Sequence, residues 1–232
     1  GADNTGVVDI QANVTIKNLK NTDAASTIDN SGMTFLGPYR RVVIREPEID
    51  TVERTNVGGS CSGIAVSQFT GTVDIHSPKV SRVLTTSAID ADGIKVFGKP
   101  VSGVLANKRQ GVATIHFGVF TDNQGRQFKS QCSETTIIKP ISIRQNVVSI
   151  PSGVDFDFQC GNGLLLEPEF IYKKNAGTSP LGASFRPVIF QQLIENEEMA
   201  ERCIAGKMIT EVAMMGFCGV THSAGAKESV TK

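Results

Sequence analysis

The chain is cut into many short β-prone runs, each stopped by glycine, proline, asparagine or aspartate before it grows long. Met33–Leu36 ends at Gly37-Pro38, and Tyr39–Arg45 ends at Glu46-Pro47. Ile64–Ile75 and Val80–Thr86 follow, and Asp90-Ala91-Asp92-Gly93 leads into Ile94–Phe97. Later runs are Thr135–Ile138, Ile141–Ile150, Val154–Gln159 and Leu164–Tyr172. Runs of this length specify sheets, because turn residues supply the backbone angles that reverse a chain. At the centre, Val112–Phe120 runs into Asp122-Asn123-Gln124-Gly125 and continues as Arg126–Cys132. A short loop ending in glycine between two β-prone runs predicts a hairpin. No internal repeat is read along the chain.

The clearest alternation lies near the N-terminus. Val8, Ile10, Ala12, Val14 and Ile16 are apolar and alternate with polar residues. Period two is the mark of a strand with one buried face. The polar stretch after it, 18–32, is longer than most connections inside a domain. Near the other end, Asn196 precedes Glu197 and Glu198, as a helix start prefers. Met199, Ala200, Cys203, Ile204, Met208, Ile209, Val212 and Met215 then recur at three-to-four spacing, up to Gly216. The expected fold is therefore mainly β: an antiparallel β-sandwich or barrel with an extended N-terminal strand and one C-terminal amphipathic helix. The expected division is an arm at 1–32 (strand 7–17 plus polar loop), a β domain at 33–195, and a helix with polar tail at 196–232.

Composition narrows the partners. Among 232 residues, 23 basic side chains balance 23 acidic ones. Zero net charge argues against nucleic acid as a partner, since the basic footprint is missing. No run reaches the roughly 20 apolar residues of a spanning helix, so no membrane insertion is expected. The opening Gly1-Ala2-Asp3 lacks Met, which fits proteolytic processing. Cys61, Cys132, Cys160, Cys203 and Cys218 form no C-x-x-C pair, which argues against zinc. In an oxidising compartment, two disulfides should form among these five. Cys203 and Cys218 would sit about 22 Å apart on one helix and so could not join each other.

No group of residues predicts catalysis or a cofactor. Gly59-Ser60-Cys61-Ser62-Gly63 has the outline of a nucleophile elbow, but a β-prone run follows where a helix is needed. All three histidines, His76, His116 and His222, come after Cys61. His76 and His116 alternate with apolar neighbours, as residues on a sheet surface do. Asp90 and Asp92 begin a calcium-loop pattern that does not continue. Asp155 and Asp157 share one strand face and could hold a cation, though solvated carboxylates are commoner.

The run Val8–Ile16 is similar to the N-terminal extensions of chaperone–usher pilins, which donate a strand to a neighbouring subunit. The chain departs from that pattern at its other end, where a helix and tail replace a final strand. The resemblance implies a non-enzymatic structural subunit that binds copies of itself in an extracellular or cell-surface filament. Val8, Ile10, Ala12, Val14 and Ile16 would then be the donor strand. A virion coat protein and a monomeric secreted binding domain are the alternatives.

Overall fold

The computed structural model describes residues 6–11, 13–22, 30–55, 60–85, 91–99, 111–145, 155–159, 162–173, 183–186, 212–213 and 227–231. The chain winds in coils of three strands each. The first coil holds β1 (Val7–Ile10), β2 (Thr15–Asn21) and β3 (Asn30–Leu36). The second holds β4 (Arg41–Arg45), β5 (Glu48–Arg54) and β6 (Cys61–Phe69), and the third β7 (Thr72–His76), β8 (Lys79–Thr85) and β9 (Ala91–Gly98). The fourth holds β10 (Val112–His116), β11 (Val119–Thr121) and β12 (Phe128–Gln131). The fifth holds β13 (Glu134–Ile138), β14 (Ile141–Arg144) and β15 (Phe156–Gln159). The sixth holds β16 (Asn162–Leu166), β17 (Glu169–Lys173) and β18 (Ala183–Arg186), and β19 (Val212–Ala213) and β20 (Lys227–Thr231) follow.

Equivalent strands of successive coils stack into three sheets: β1-β4-β7-β10-β13-β16-β19, β2-β5-β8-β11-β14-β17-β20, and β3-β6-β9-β12-β15-β18. Every pairing is parallel except the two-residue contact of β19 with β16. The fold is a parallel β-solenoid, and this overturns the expected antiparallel sandwich or barrel. The expected central hairpin is absent too. Val119–Thr121 and Phe128–Gln131 pair with coils above and below, not with each other. The Asp122–Gln127 stretch is a corner between two sheets. No described residue is helical. Of the span expected to form the C-terminal helix, only Val212 and Ala213 are described, and they are strand; the rest lies outside the described residues.

One corner explains why the chain coils. Between the first and second strands stand Glu46-Pro47, Ser77-Pro78, Phe117-Gly118, Lys139-Pro140 and Glu167-Pro168. The first residue of each pair has positive φ, at 50°, 49°, 55°, 48° and 43°. That left-handed residue turns the chain sharply, and in four of the five pairs a proline with its fixed φ sets the next strand's direction. Ahead of each corner the fourth strand residue is Ile44, Ile75, Ile115, Ile137 or Leu165, every one 0% exposed. The internal repeat is therefore real: five residues with buried second and fourth positions, a left-handed residue, then usually proline. Its copies begin at residues 41, 72, 112, 134 and 162, so the coils run 31, 40, 22 and 28 residues. Unequal spacing hides the repeat from any search for a fixed period.

The core changes character along the rod. Val42, Ile49, Val52, Ile64, Val66, Val73 and Val80 fill the early coils. Later coils carry phenylalanines, with Phe156 edge-on to both Phe120 and Phe170 at 5.9 Å. Cys61 is buried, its thiol donating to the Val52 carbonyl at 3.5 Å, and Cys132 is a half-buried thiol at a corner. With neither in a disulfide, the other three cysteines cannot make the expected two; Cys160, Cys203 and Cys218 lie outside the described residues. Nor does the fold contain the antiparallel sandwich that a pilin-type donor strand would complete, so the pilus reading is withdrawn.

Where the third sheet begins, Gly32, Gly63 and Gly93 stack in register. A Cβ on Gly63 would lie 2.4 Å from Val80 Cγ1 and 2.5 Å from the Gly93 carbonyl oxygen. Neither atom can retreat, because one belongs to a buried side chain and the other to the ladder. Gly63→Ala should therefore cost about 1–3 kcal/mol as an overpacked core does, read as a lower urea midpoint with unchanged slope. Full stability in the variant would show that the glycine stack is not close-packed.

Candidate assembly interface

Several charged groups that could carry chemistry are tied into the interior. In the column where earlier coils have glycine, Gln127 and then Asp155 appear. The Asn123 amide donates to the Val80 carbonyl at 3.2 Å and to Gln127 Oε1 at 2.6 Å, while its Oδ1 accepts from Val83 N–H at 3.0 Å. Arg144 donates to Asp155 and also to the carbonyls of Asn123 at 2.6 Å and Gly125 at 2.9 Å. Arg126 bridges Asp157 at 2.8 Å and Asp92 at 3.2 Å. Arg144 and all three aspartates are 0% exposed. Asp155 and Asp157, the sequence's candidate cation pair, thus face different arginines. Asp92 secures a corner rather than a calcium loop, and Asp90 lies outside the described residues. Ser60, Cys61, Ser62 and Gly63 are buried at the entry to β6, a strand where an elbow would need a helix. His76 and His116 stand on the outer face of the first sheet, directly paired across β7 and β10. Among the described residues no three His, Cys, Asp or Glu side chains converge as metal ligands, and no helix is long and apolar enough to cross a membrane.

The remaining conspicuous feature is the N-terminal end of the rod. Each strand of the first coil pairs on one side only, with β4, β5 and β6. Among the described residues, no strand covers the opposite edges. The interior columns differ between the first and second coils. Val8, Ile10, Ile16, Leu19 and Phe35 stand in register with Val42, Ile44, Ile49, Val52 and Val66. The second-coil members are all 0% exposed, whereas the first-coil members are only half-buried against the core. Val8 and Ile10 thus lie on β1, Ile16 on β2, and Val14 packs just ahead of β2. Ala12 lies outside the described residues. The alternating run spans two strands in different sheets, and its apolar side rests on its own chain.

Two apolar side chains that the sequence reading did not flag belong to this end. Leu36 is 65% and Val7 59% exposed. Leu36 enters the corner before β4, and Gly6 beside Val7 accepts the Arg40 N–H of that corner at 2.9 Å and lies against the Tyr39 ring. The available signal was alternation: Met33 and Phe35 face inward, which leaves Leu36 outside. On the neighbouring edge, Lys17 and Lys20 pair with Glu48 at 2.9 Å and Glu53 at 3.1 Å. Glu48, bonded to Lys17, lifts that ammonium above the usual lysine range. Lysine on an edge strand discourages indiscriminate pairing, so among the described residues this edge is uncovered but guarded.

Comparison with protein-family models, curated proteins and solved structures found no match to this chain.

The buried Arg144–Asp155 pair ties the corner that replaces the expected hairpin. Asp155→Asn leaves a buried guanidinium without its counter-charge and should destabilise the chain by about 3–5 kcal/mol. Replacing both residues with apolar ones of similar size should cost less. Equal losses in a urea titration of the two variants would contradict this account.

Proposed function

We propose that the chain is a non-enzymatic structural subunit, a rigid solenoid rod that binds a second copy of itself through the open face of its first coil. The observation that carries this reading is the contrast in the interior columns. Side chains fully covered in the second coil are half-bare in the first, and a further layer of strands would cover them. A layer of β-structure satisfies both needs of that face, since it covers apolar side chains and pairs with open backbone groups.

Among the described residues the far end does not match this face. There the first sheet finishes on the antiparallel β19, so the described strands offer no set of three parallel edges. The same face of a second copy does match. A two-fold axis across the rod brings two first coils together with their strands antiparallel, which makes a closed, self-complementary contact. Zero net charge keeps repulsion between copies small. Covering a further half of a Val, Ile, Leu or Phe side chain contributes about 1 kcal/mol. Five such positions on each copy therefore supply on the order of 10 kcal/mol against association costs of about 4–15.

A proline separates pairing from folding. The Val14 carbonyl accepts from Glu48 N–H at 2.9 Å. Backbone groups alternate sides along a strand, so the Thr15 N–H faces the open edge. Thr15→Pro should leave the monomer folded, as proline is tolerated where the N–H faces away from the sheet. It should weaken the dimer roughly tenfold or more, equivalent to about 1.4 kcal/mol. Leu36→Lys should act in the same direction. Sedimentation velocity over a concentration series reads the result. A wild-type chain that stays monomeric throughout, or a Thr15→Pro chain that pairs as tightly as wild type, would sink the proposal.

A further inference from the structure

We propose that the stacked imidazoles of His76 and His116 make an acid-sensitive seam between the third and fourth coils. Once both rings carry a proton they repel, and the ladder between β7 and β10 loses stability. The device does not depend on the contact between copies. The two residues are direct partners in that ladder. Neighbouring strands lie about 4.7–4.9 Å apart, so equal side chains in one rotamer come face to face. Their ring centroids are 4.5 Å apart and the planes 4° from parallel. Both rings are half-buried on the outer face of the sheet, next to the buried Ile75 and Ile115. Water therefore reaches only part of each ring, and two positive charges at this separation are poorly screened.

The charges around the pair do not offset two protons. On β4 the ladder partner of His76 is Arg45, itself a cation, and its guanidinium is engaged by Asp9 at 2.8 Å. Exposed Glu46 follows in the corner, where its N–H donates to the His76 carbonyl at 2.8 Å. On β7, Asp74 stands two residues before His76 on the same face, and on β10 Thr114 holds the matching position. On β13 the partner of His116 is Ile138, and the following Lys139 is paired with Glu167 at 3.1 Å. The corner residues Ser77 and Phe117 carry no charge. The Phe117 ring lies 6.3 Å from His116, just beyond the roughly 6 Å at which a ring face steadies a cation. Asp74 attracts a proton to His116, but the opposing influences win. Partial burial first, and then His76, hold His116 below the ordinary imidazole value of 6.5.

A histidine held low in the folded chain takes up its proton first in the unfolded chain. Stability from this source is full above about pH 6.5 and is lost as the pH falls below it. The loss stops growing once the folded chain is protonated as well. Ordinary carboxylates titrate near pH 4, so the window between about pH 7.5 and 5.5 belongs to imidazoles.

Urea unfolding of the full chain at about pH 7.5 and about pH 5.5, followed by circular dichroism, tests the seam. Wild type is compared with His76→Gln, His116→Gln and Asp74→Asn. The fall in pH should lower the folded-to-unfolded ratio roughly tenfold more in wild type than in either glutamine variant, since one unit of displaced titration is tenfold. Asp74→Asn removes the opposing attraction and should make the loss steeper than in wild type. His222 is common to all four chains and cancels in the comparison. Should a glutamine variant fail to fold, the His116 imidazole signal in the nuclear magnetic resonance spectrum of wild type decides. It should titrate below 6.5, and lower still in Asp74→Asn. Equal losses in wild type and in either glutamine variant overturn the proposal. So does a His116 signal that titrates at or above 6.5.

Discussion

Each coil is held to the next by backbone hydrogen bonds that run along the rod axis, and this ladder dictates most of what the sequence must supply. A strand in a parallel stack has its equivalent directly above and below, so each position becomes a column. An inward column has to be apolar in every coil, or else polar with every partner present. The isoleucine column from Ile44 to Ile137, closed by Leu165, meets the first condition. The network of Asn123, Gln127, Arg144 and Asp155 meets the second. Corners obey the same rule, since a turn that sends one coil off register would break three sheets. The left-handed residues before Pro47, Pro78, Pro140 and Pro168 stack in this way. So do Asn18, Thr51, Arg82 and Asp122, whose positive φ angles bend the chain at one position in each successive coil.

The glycine column shows how a column changes partway along the rod. In the first two coils Gly32 and Gly63 let the second and third sheets approach until no Cβ fits between them, and in the third Gly93 lies as close to Asn123 and the Gln127 carbonyl. In the fourth coil Gln127 takes the same position, and the space must open. Asn123 and Gln127 fill it, and Arg144 reaches across from the next coil to two carbonyls of the same corner. Buried charge here costs desolvation that an apolar filling would avoid. What the arginine supplies is direction: several donors aimed at fixed carbonyls hold an irregular corner in one arrangement. In the second coil buried Arg54 likewise donates to the carbonyl of Ser60, at 3.4 Å.

This explains which parts of the structure were legible in the sequence. Alternation reports whether one face of a strand is buried, and it located most of the strands. It carries no information on the strand's partner, because parallel and antiparallel neighbours demand the same alternation. The Asp122–Gly125 stretch has the residues of a hairpin loop, yet its flanking strands turn into different sheets. Val8–Ile16 kept its period across a corner, with Asn13 at positive φ, and so read as one strand rather than two. The decisive clue was the recurring left-handed residue and proline five residues into each coil. It was legible in principle, but coils of 22 to 40 residues blurred it.

The same columns bear on function. A solenoid has no intrinsic end; it finishes where a cap or a partner covers the last layer. At the first coil the half-buried Val8, Ile10, Ile16, Leu19 and Phe35 are the first described members of their columns. The outer side of the same coil is treated differently. Asp9, Lys17 and Lys20 are bound to residues of the second coil, so the exposed flank is neutralised along the rod rather than across its end. Val7 and Leu36, beside the corner at Tyr39, break that pattern with apolar surface. The first coil therefore carries paired charges on its flank and half-buried apolar side chains on its end face, the distribution that the proposed contact between copies would use.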